Sequence, residues 1–175
     1  MMAGKETAVV WFNGPSASDL HHIARQPLEI GCNFIEQHRA VDHVCAYDQD
    51  VISRLPATTG VSYWTRRNMV TQRFRLVPSE VKYSCSGTMA VRLARHLGAR
   101  RIYVIGCDWE HTNASIYDSE YSWREHQPRK YTLARRGTMV ETARETELVL
   151  VSDRKVPYEG VKTVMVRDFL GMIKC

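Results

Sequence analysis

What the chain has little of already narrows its class. No apolar run approaches the roughly 18 residues that a membrane-spanning helix needs, so no transmembrane segment is expected. Glycine and proline number only 10 and 6 in 175 residues, which excludes collagen-like and Pro/Gly-rich disordered chains. The five cysteines, Cys32, Cys45, Cys85, Cys107 and Cys175, include no Cys-x-x-Cys pair and no zinc-finger spacing, and an odd count cannot pair fully within the chain. Four of them sit beside apolar residues, where a thiol packs as a small hydrophobe. The opening Met1-Met2-Ala3-Gly4-Lys5-Glu6 carries no long apolar stretch or cleavage signal. A reducing cytoplasm is the expected compartment. Both common phosphate-loop fingerprints, Gly-x-Gly-x-x-Gly and Gly-x-x-x-x-Gly-Lys, are missing as well.

What is present suits one globular domain. The chain is 44% hydrophobic and 25% charged, an ordinary balance for a packed protein. Its length provides for one well-buried core and leaves little room for another. Residues 1–175 are therefore read as a single α/β domain. The 24 lysines and arginines outnumber 19 acids, a formal charge of +5, which admits a polyanionic partner, nucleic acid included, without requiring one.

Short apolar runs alternate with helical periodicity. Residues 7–12, Thr-Ala-Val-Val-Trp-Phe, read as a buried strand entering the turn Asn13-Gly14-Pro15-Ser16, with a helix expected through Leu20, Ile23 and Ala24. Further strands are expected around Leu28 to Cys32, Val41 to Tyr47, Val61 to Thr65, Phe74 to Val77 and Val81 to Ser84. Asp50 can cap a short helix holding Val51, Ile52 and Leu55. Met89, Ala90, Leu93, Ala94 and Leu97 make one helical face closed by Gly98, followed by a strand from Arg101 to Ile105. Helical pattern resumes from Thr138 to Glu145, and strands are expected at Leu148 to Val151 and near Val161 to Val166. This alternation predicts a compact three-layer, Rossmann-like fold with a mainly parallel sheet, its ligands at the carboxyl ends of the strands. Residues 109–136, aromatic and basic without clear periodicity, read as a ligand-facing loop or lid.

Several residues could carry chemistry. The Asn13-Gly14-Pro15-Ser16 turn, set before a helix, can bring backbone N–H groups to a phosphate, or it can be an ordinary strand-to-helix turn. Ser84, Ser86, Gly87 and Thr88 form a second small polar turn of the same kind, where Ser86 can equally serve as a cap. Asp48 and Asp50 could hold a magnesium ion bridging phosphates, or cap and solvate a turn. Asp108, another strand-end acid, could orient a ligand hydroxyl or stabilise its own turn. The histidines do not cluster; His111 and His126 fall in the irregular segment, where either could act as a base. Trp109, Tyr117, Tyr121, Trp123, Arg124 and Arg129 add stacking surfaces and cations suited to a nucleotide.

The combination of Asn13-Gly14-Pro15-Ser16, Cys32-Asn33, Ser86-Gly87-Thr88-Met89-Ala90 and Ala99-Arg-Arg-Ile-Tyr-Val-Ile-Gly106-Cys-Asp108 resembles the bacterial CMP-sialic-acid-dependent sialyltransferase-like family, and a related nucleotide-dependent phosphotransferase-like group. The resemblance spans residues 7–108. It implies an α/β nucleotide-binding fold and a nucleotide sugar, CMP-linked, as substrate. It further implies that Asn13, Gly14 and Ser16 surround phosphate or ribose, that Asn33 contacts the nucleotide, and that Ser86 and Gly87 form the second ligand-facing turn. Tyr117 and Tyr121 would assist the departing phosphate, and His126 would act as base. The leading expectation is a glycosyltransferase-like protein that moves a sugar from a nucleotide donor to a hydroxyl on a small molecule or glycan. A magnesium-dependent phosphotransferase or pyrophosphokinase is the enzymatic alternative. A nucleotide-sensing or nucleic-acid-associated module is the non-catalytic one.

Overall fold

Among the described residues eight strands lie side by side, all parallel, in the order β5-β4-β3-β2-β1-β6-β7-β8. They are β1 (Thr7–Trp11), β2 (Glu29–Cys32), β3 (His43–Cys45), β4 (Ser62–Thr65), β5 (Phe74–Leu76), β6 (Arg101–Ile105), β7 (Glu147–Val151) and β8 (Lys162–Val164). The computed structural model describes residues 6–66, 71–78, 83–108, 129–156 and 158–173. Among these residues four α-helices accompany the sheet: α1 (Gln49–Arg54), α2 (Ser86–His96), α3 (Arg129–Glu145) and α4 (Val166–Ile173). This is the expected three-layer α/β domain. Among the described residues no helix is long and apolar enough to cross a membrane.

The period of two along each strand divides the core between the faces. Ala8, Val10, Ile102, Val104, Leu148 and Leu150 pack with α2 and α3 on one side. Val9, Trp11, Ile105 and Val151 turn to the other, with α1, α4 and the 3-10 segments Pro15–Leu20 and Ile35–Gln37. Central strands buried on both faces explain why β1 and β7 read as nearly continuous apolar runs rather than alternating ones.

α2 follows its sequence pattern closely. Met89, Ala90, Leu93 and Ala94 are fully buried. Left-handed Gly98 (φ +97°) closes the helix. Its N–H donates to Arg95 O at 3.0 Å and the Ala99 N–H to Ala94 O at 3.1 Å, a Schellman pair that satisfies two terminal carbonyls.

Four expectations need adjustment. Of the stretch expected to be a strand from Val81 to Ser84, Tyr83 and Ser84 lie in no strand and the rest falls outside the described residues. The segment after Asn13 is a 3-10 turn ending at Leu20 rather than a helix through Ala24, because Pro15 starts it while Ser18 bonds back to Pro15 O at 2.7 Å. α3 begins at Arg129, so the last part of the segment read as irregular, up to Arg136, is helical. Polar residues of its first turns hid the apolar period that Met139, Val140 and Ala143 later display. α4 was not anticipated. It seats Phe169 fully buried against Tyr103, ring centroids 5.0 Å apart.

A buried ion pair ties the start of β2 to the segment before β3. Arg39 Nε and Nη2 donate to the two Glu29 carboxylate oxygens at 2.6 and 2.5 Å. Its remaining donors reach the carbonyls of His21 and Ile23, both at 2.8 Å, and of Ala24 at 3.2 Å. Trp11 Nε1 and the Gln26 N–H complete the Glu29 shell at 3.0 and 2.6 Å. The guanidinium also lies 4.6 Å from the Trp11 ring centre. All five Arg39 donors are thus used, the condition under which a buried pair is tolerated. Arg39→Ala is expected to cost about 3–5 kcal/mol by leaving a buried carboxylate unpaired. A chemical-denaturation midpoint unchanged from wild type would contradict this.

His21 stacks on His38 at 5.1 Å beside this network. Burial first, then the charges of His38 and Arg39, hold its imidazole below the ordinary value. The unfolded chain therefore takes up a proton that the folded chain resists, and stability falls as pH drops below about 6.5. His21→Gln, which cannot protonate, is expected to flatten that loss; urea midpoints at about pH 7.5 and about pH 5.5 measure it.

Candidate functional site

The chain leaves β1 toward one face, into the Pro15–Leu20 segment, whereas the helix next described after β6, α3, packs on the other. β2 to β5 extend from one side of β1 and β6 to β8 from the other. The carboxyl ends of β1 and β6 therefore form the switch point of the sheet, where ligands of open α/β folds bind. The Asn13–Ser16 turn and Gly106-Cys107-Asp108 lie there.

These two segments are bound to each other. The Gly14 N–H donates to Gly106 O at 2.9 Å. The Ser16 N–H and hydroxyl donate to the two Asp108 oxygens, each at 2.8 Å. The approach is so close that a Cβ on Gly14 would stand 2.3 Å from Asp108 Oδ2 and 2.4 Å from Gly106 O. Of the two roles open to Asp108, the geometry displays the structural one. Its carboxylate occupies the N-terminal mouth of the 3-10 turn, the place a phosphate was expected to take.

One strand over, Asn13 Oδ1 accepts from the Cys32 thiol at 3.1 Å. Asn33 follows in a left-handed conformation (φ +55°), which asparagine tolerates better than most residues. Its N–H donates to Cys45 O at 3.0 Å. The side chain is only 2% exposed, and its carboxamide oxygen has no hydrogen-bond partner among the described residues. A buried acceptor without a donor is costly and points to an unfilled interaction.

The second expected turn reaches the same edge. Ser86 opens α2, and its hydroxyl accepts from the Tyr47 N–H, beyond β3, at 3.0 Å. A Cβ on Gly87 would stand 2.6 Å from the Phe12 ring, so glycine lets α2 close onto the end of β1. Thr88 Oγ1 accepts from the N–H groups of Ser84 and Cys85 at 2.9 and 3.1 Å, fixing the helix entry.

Asn13, Gly14, Ser16, Asn33, Ser86, Gly87 and Asp108 thus share one edge of the sheet. Asp48 ends the extended segment after β3, and Asp50 lies in the first turn of α1. The turn falls between them, so the shared face of an extended pair is not kept. No group of three or more metal-ligating side chains is present among the described residues. Tyr117, Tyr121 and His126, with His111, lie outside the described residues.

Sequence reasoning missed two neighbours. Tyr47 and Arg66 follow β3 and β4, and the Arg66 guanidinium sits 4.4 Å from the Tyr47 ring centre. Tyr83 meets Tyr47 edge-on at 6.0 Å. Burial, then Tyr47, push the Tyr83 phenol up, while Arg66 draws it part of the way back. The available signal was position, since Tyr47 ends one stretch expected to be a strand and Arg66 immediately follows another.

No family model matches the chain, and no curated protein or solved structure matches it. The chemistry of the site is therefore that of its own residues.

Asp108→Ala leaves the Ser16 N–H and hydroxyl without their acceptor and is expected to cost about 1–3 kcal/mol. Gly14→Ala, which forces the same seam open, is expected to destabilise by a similar amount, about 1–3 kcal/mol. Thermal or urea unfolding measures both, and an Asp108→Ala protein as stable as wild type would remove the seam from its structural role.

Proposed function

We propose that this protein binds a nucleotide-activated sugar along the carboxyl edge of β1, β2 and β3 and transfers the sugar to a hydroxyl acceptor. The observation that carries the reading is Asn33. Its buried carboxamide oxygen lacks a donor among the described residues, and a ribose hydroxyl or a base amino group supplies one. Asn13 supports it from the neighbouring strand, with amide hydrogens still to donate once its oxygen has taken the Cys32 thiol. The α2 N-terminus, with Ser86 and Gly87, offers a positive helix end to phosphate oxygens.

In the transfer, the acceptor oxygen forms a bond to the anomeric carbon as the bond from that carbon to the phosphate oxygen breaks. The electron pair leaves with the phosphate, and the acceptor proton passes to a base, the part expected of His126. The chain contributes orientation of the donor and stabilisation of the charge that grows on the phosphate.

Mass spectrometry of ligands retained through native purification tests this reading. Wild type is expected to retain a nucleotide sugar, with affinity about tenfold weaker in Asn33→Ala. Retention should be abolished in the Asn13→Ala/Ser86→Ala double variant. Unchanged retention in both would place the ligand elsewhere. A retained donor with no glycosyl transfer across a broad acceptor panel would leave binding and remove the transfer step.

A further inference from the structure

We propose that Arg66 is the phosphate-recognition residue of this edge, a role expected of the Asn13–Ser16 turn. The inference rests on the reading of the edge as a nucleotide site and assigns where the nucleotide's charge is met. Two independent observations carry it.

The first is that the turn is already engaged. The Ser16 N–H and hydroxyl are both donated to Asp108, and the Gly14 N–H to Gly106 O. A phosphate at that mouth would face a carboxylate instead of free donors. Like charges at contact distance repel by several kcal/mol even at an effective dielectric of about 20.

The second is that Arg66 is a cation held in place with no acid beside it among the described residues. Its guanidinium rests on the Tyr47 ring at 4.4 Å, and its buried Nε has no hydrogen-bond acceptor among those residues. Among the described residues it forms no ion pair, in contrast to Arg25, Arg39, Arg92 and Arg101, each of which meets a carboxylate. An aromatic platform fixes the plane of a guanidinium while leaving its N–H edges open. That arrangement suits the forked, charge-assisted bonds that arginine makes to phosphate. The platform is also tied to the helix end, because the Tyr47 N–H donates to Ser86 Oγ at 3.0 Å. A phosphate shared between Arg66 and the α2 N-terminus would gain from both the fixed charge and the helix dipole.

The test compares the four ribonucleosides with their 5′-monophosphates and 5′-diphosphates by calorimetric titration, with inorganic pyrophosphate as a base-free probe. Wild type, Arg66→Ala, Arg66→Lys and Ser16→Ala are measured. Arg66→Ala is expected to weaken the phosphorylated ligands and pyrophosphate by about 10- to 100-fold and to leave nucleoside affinity unchanged. Arg66→Lys should recover part of the loss, and Ser16→Ala should bind phosphate as wild type does. If nucleotides bind and Arg66→Ala binds them as tightly as wild type, the assignment to Arg66 is overturned while the nucleotide reading stands. Pyrophosphate binding that depends on Arg66, with no nucleoside preference, would uphold the phosphate role and overturn the nucleotide reading. Binding of none of the probes by wild type would overturn both. Melting curves guard against a folding defect, and phosphate affinity lost with nucleoside affinity kept could not come from misfolding.

Discussion

The seam between Ser16 and Asp108 fixes where everything else at the carboxyl edge can stand. β1 and β6 pair along their full length, from Thr7 with Arg101 to Trp11 with Ile105. Beyond that point the chains must diverge to opposite faces. Two bonds from Ser16 to one carboxylate, with the Gly14 N–H on Gly106 O, hold the diverging segments together for a few more residues. Phe12, immediately before the seam, is thereby set against Gly87, and α2 is drawn onto the ends of β1 and β2. The same seam has an electrostatic consequence. It puts a carboxylate at the mouth of the first turn, so that the turn is closed by an internal anion.

The two arginines nearest the sheet's functional logic illustrate how context divides one residue type into two uses. Arg39 spends every donor on a carboxylate and three backbone carbonyls, and Glu29 is satisfied in return. Such a pair adds little net stability over an apolar substitute, but removing one partner is severe, which makes it a device for holding one arrangement. Arg66 has an aromatic ring where Arg39 has an acid as well as a ring. Arg39 is complete within the fold, whereas Arg66 meets no acid among the described residues.

Local pattern was enough for much of the fold. The apolar runs of β1, β6 and β7 and the one-faced helix ending at Gly98 follow from propensity and periodicity, and they sufficed to place a parallel sheet. α4 carries a helical period in Val166, Phe169, Leu170 and Ile173, which pack on one cluster, but the strand expected from Val161 to Val166 ran into its first residue and masked it. At the site, strand-end position singled out Asn13, Ser86 and Asp108. What position could not express was pairing: nothing in the spacing of Ser16 and Asp108 says that they consume each other. Glu29 and Arg39 were invisible for a related reason, since a buried ion pair has no period and becomes meaningful only when two strands have been placed. Nothing in the sequence separates Arg66 from the arginines around it, and the difference that the structure adds is its seat on the Tyr47 ring, whose N–H is bonded to Ser86 at the start of α2.

That difference also changes what the net charge of +5 means. Among the described residues part of the positive charge is matched locally: Arg101 and Lys162 share Glu147, and Arg92 and Arg95 share Glu145. Such exposed pairs contribute little to stability and are screened by salt, so they neither hold the fold together nor project a strong field. A polyanion drawn to this part of the surface would find these four cations already engaged. A single fixed guanidinium at the strand ends, next to a helix N-terminus, presents a smaller but more directional attraction. The excess of basic residues therefore argues less for a broad nucleic-acid surface than for one localised anion, at the strand ends where the parallel sheet gathers the candidate site residues.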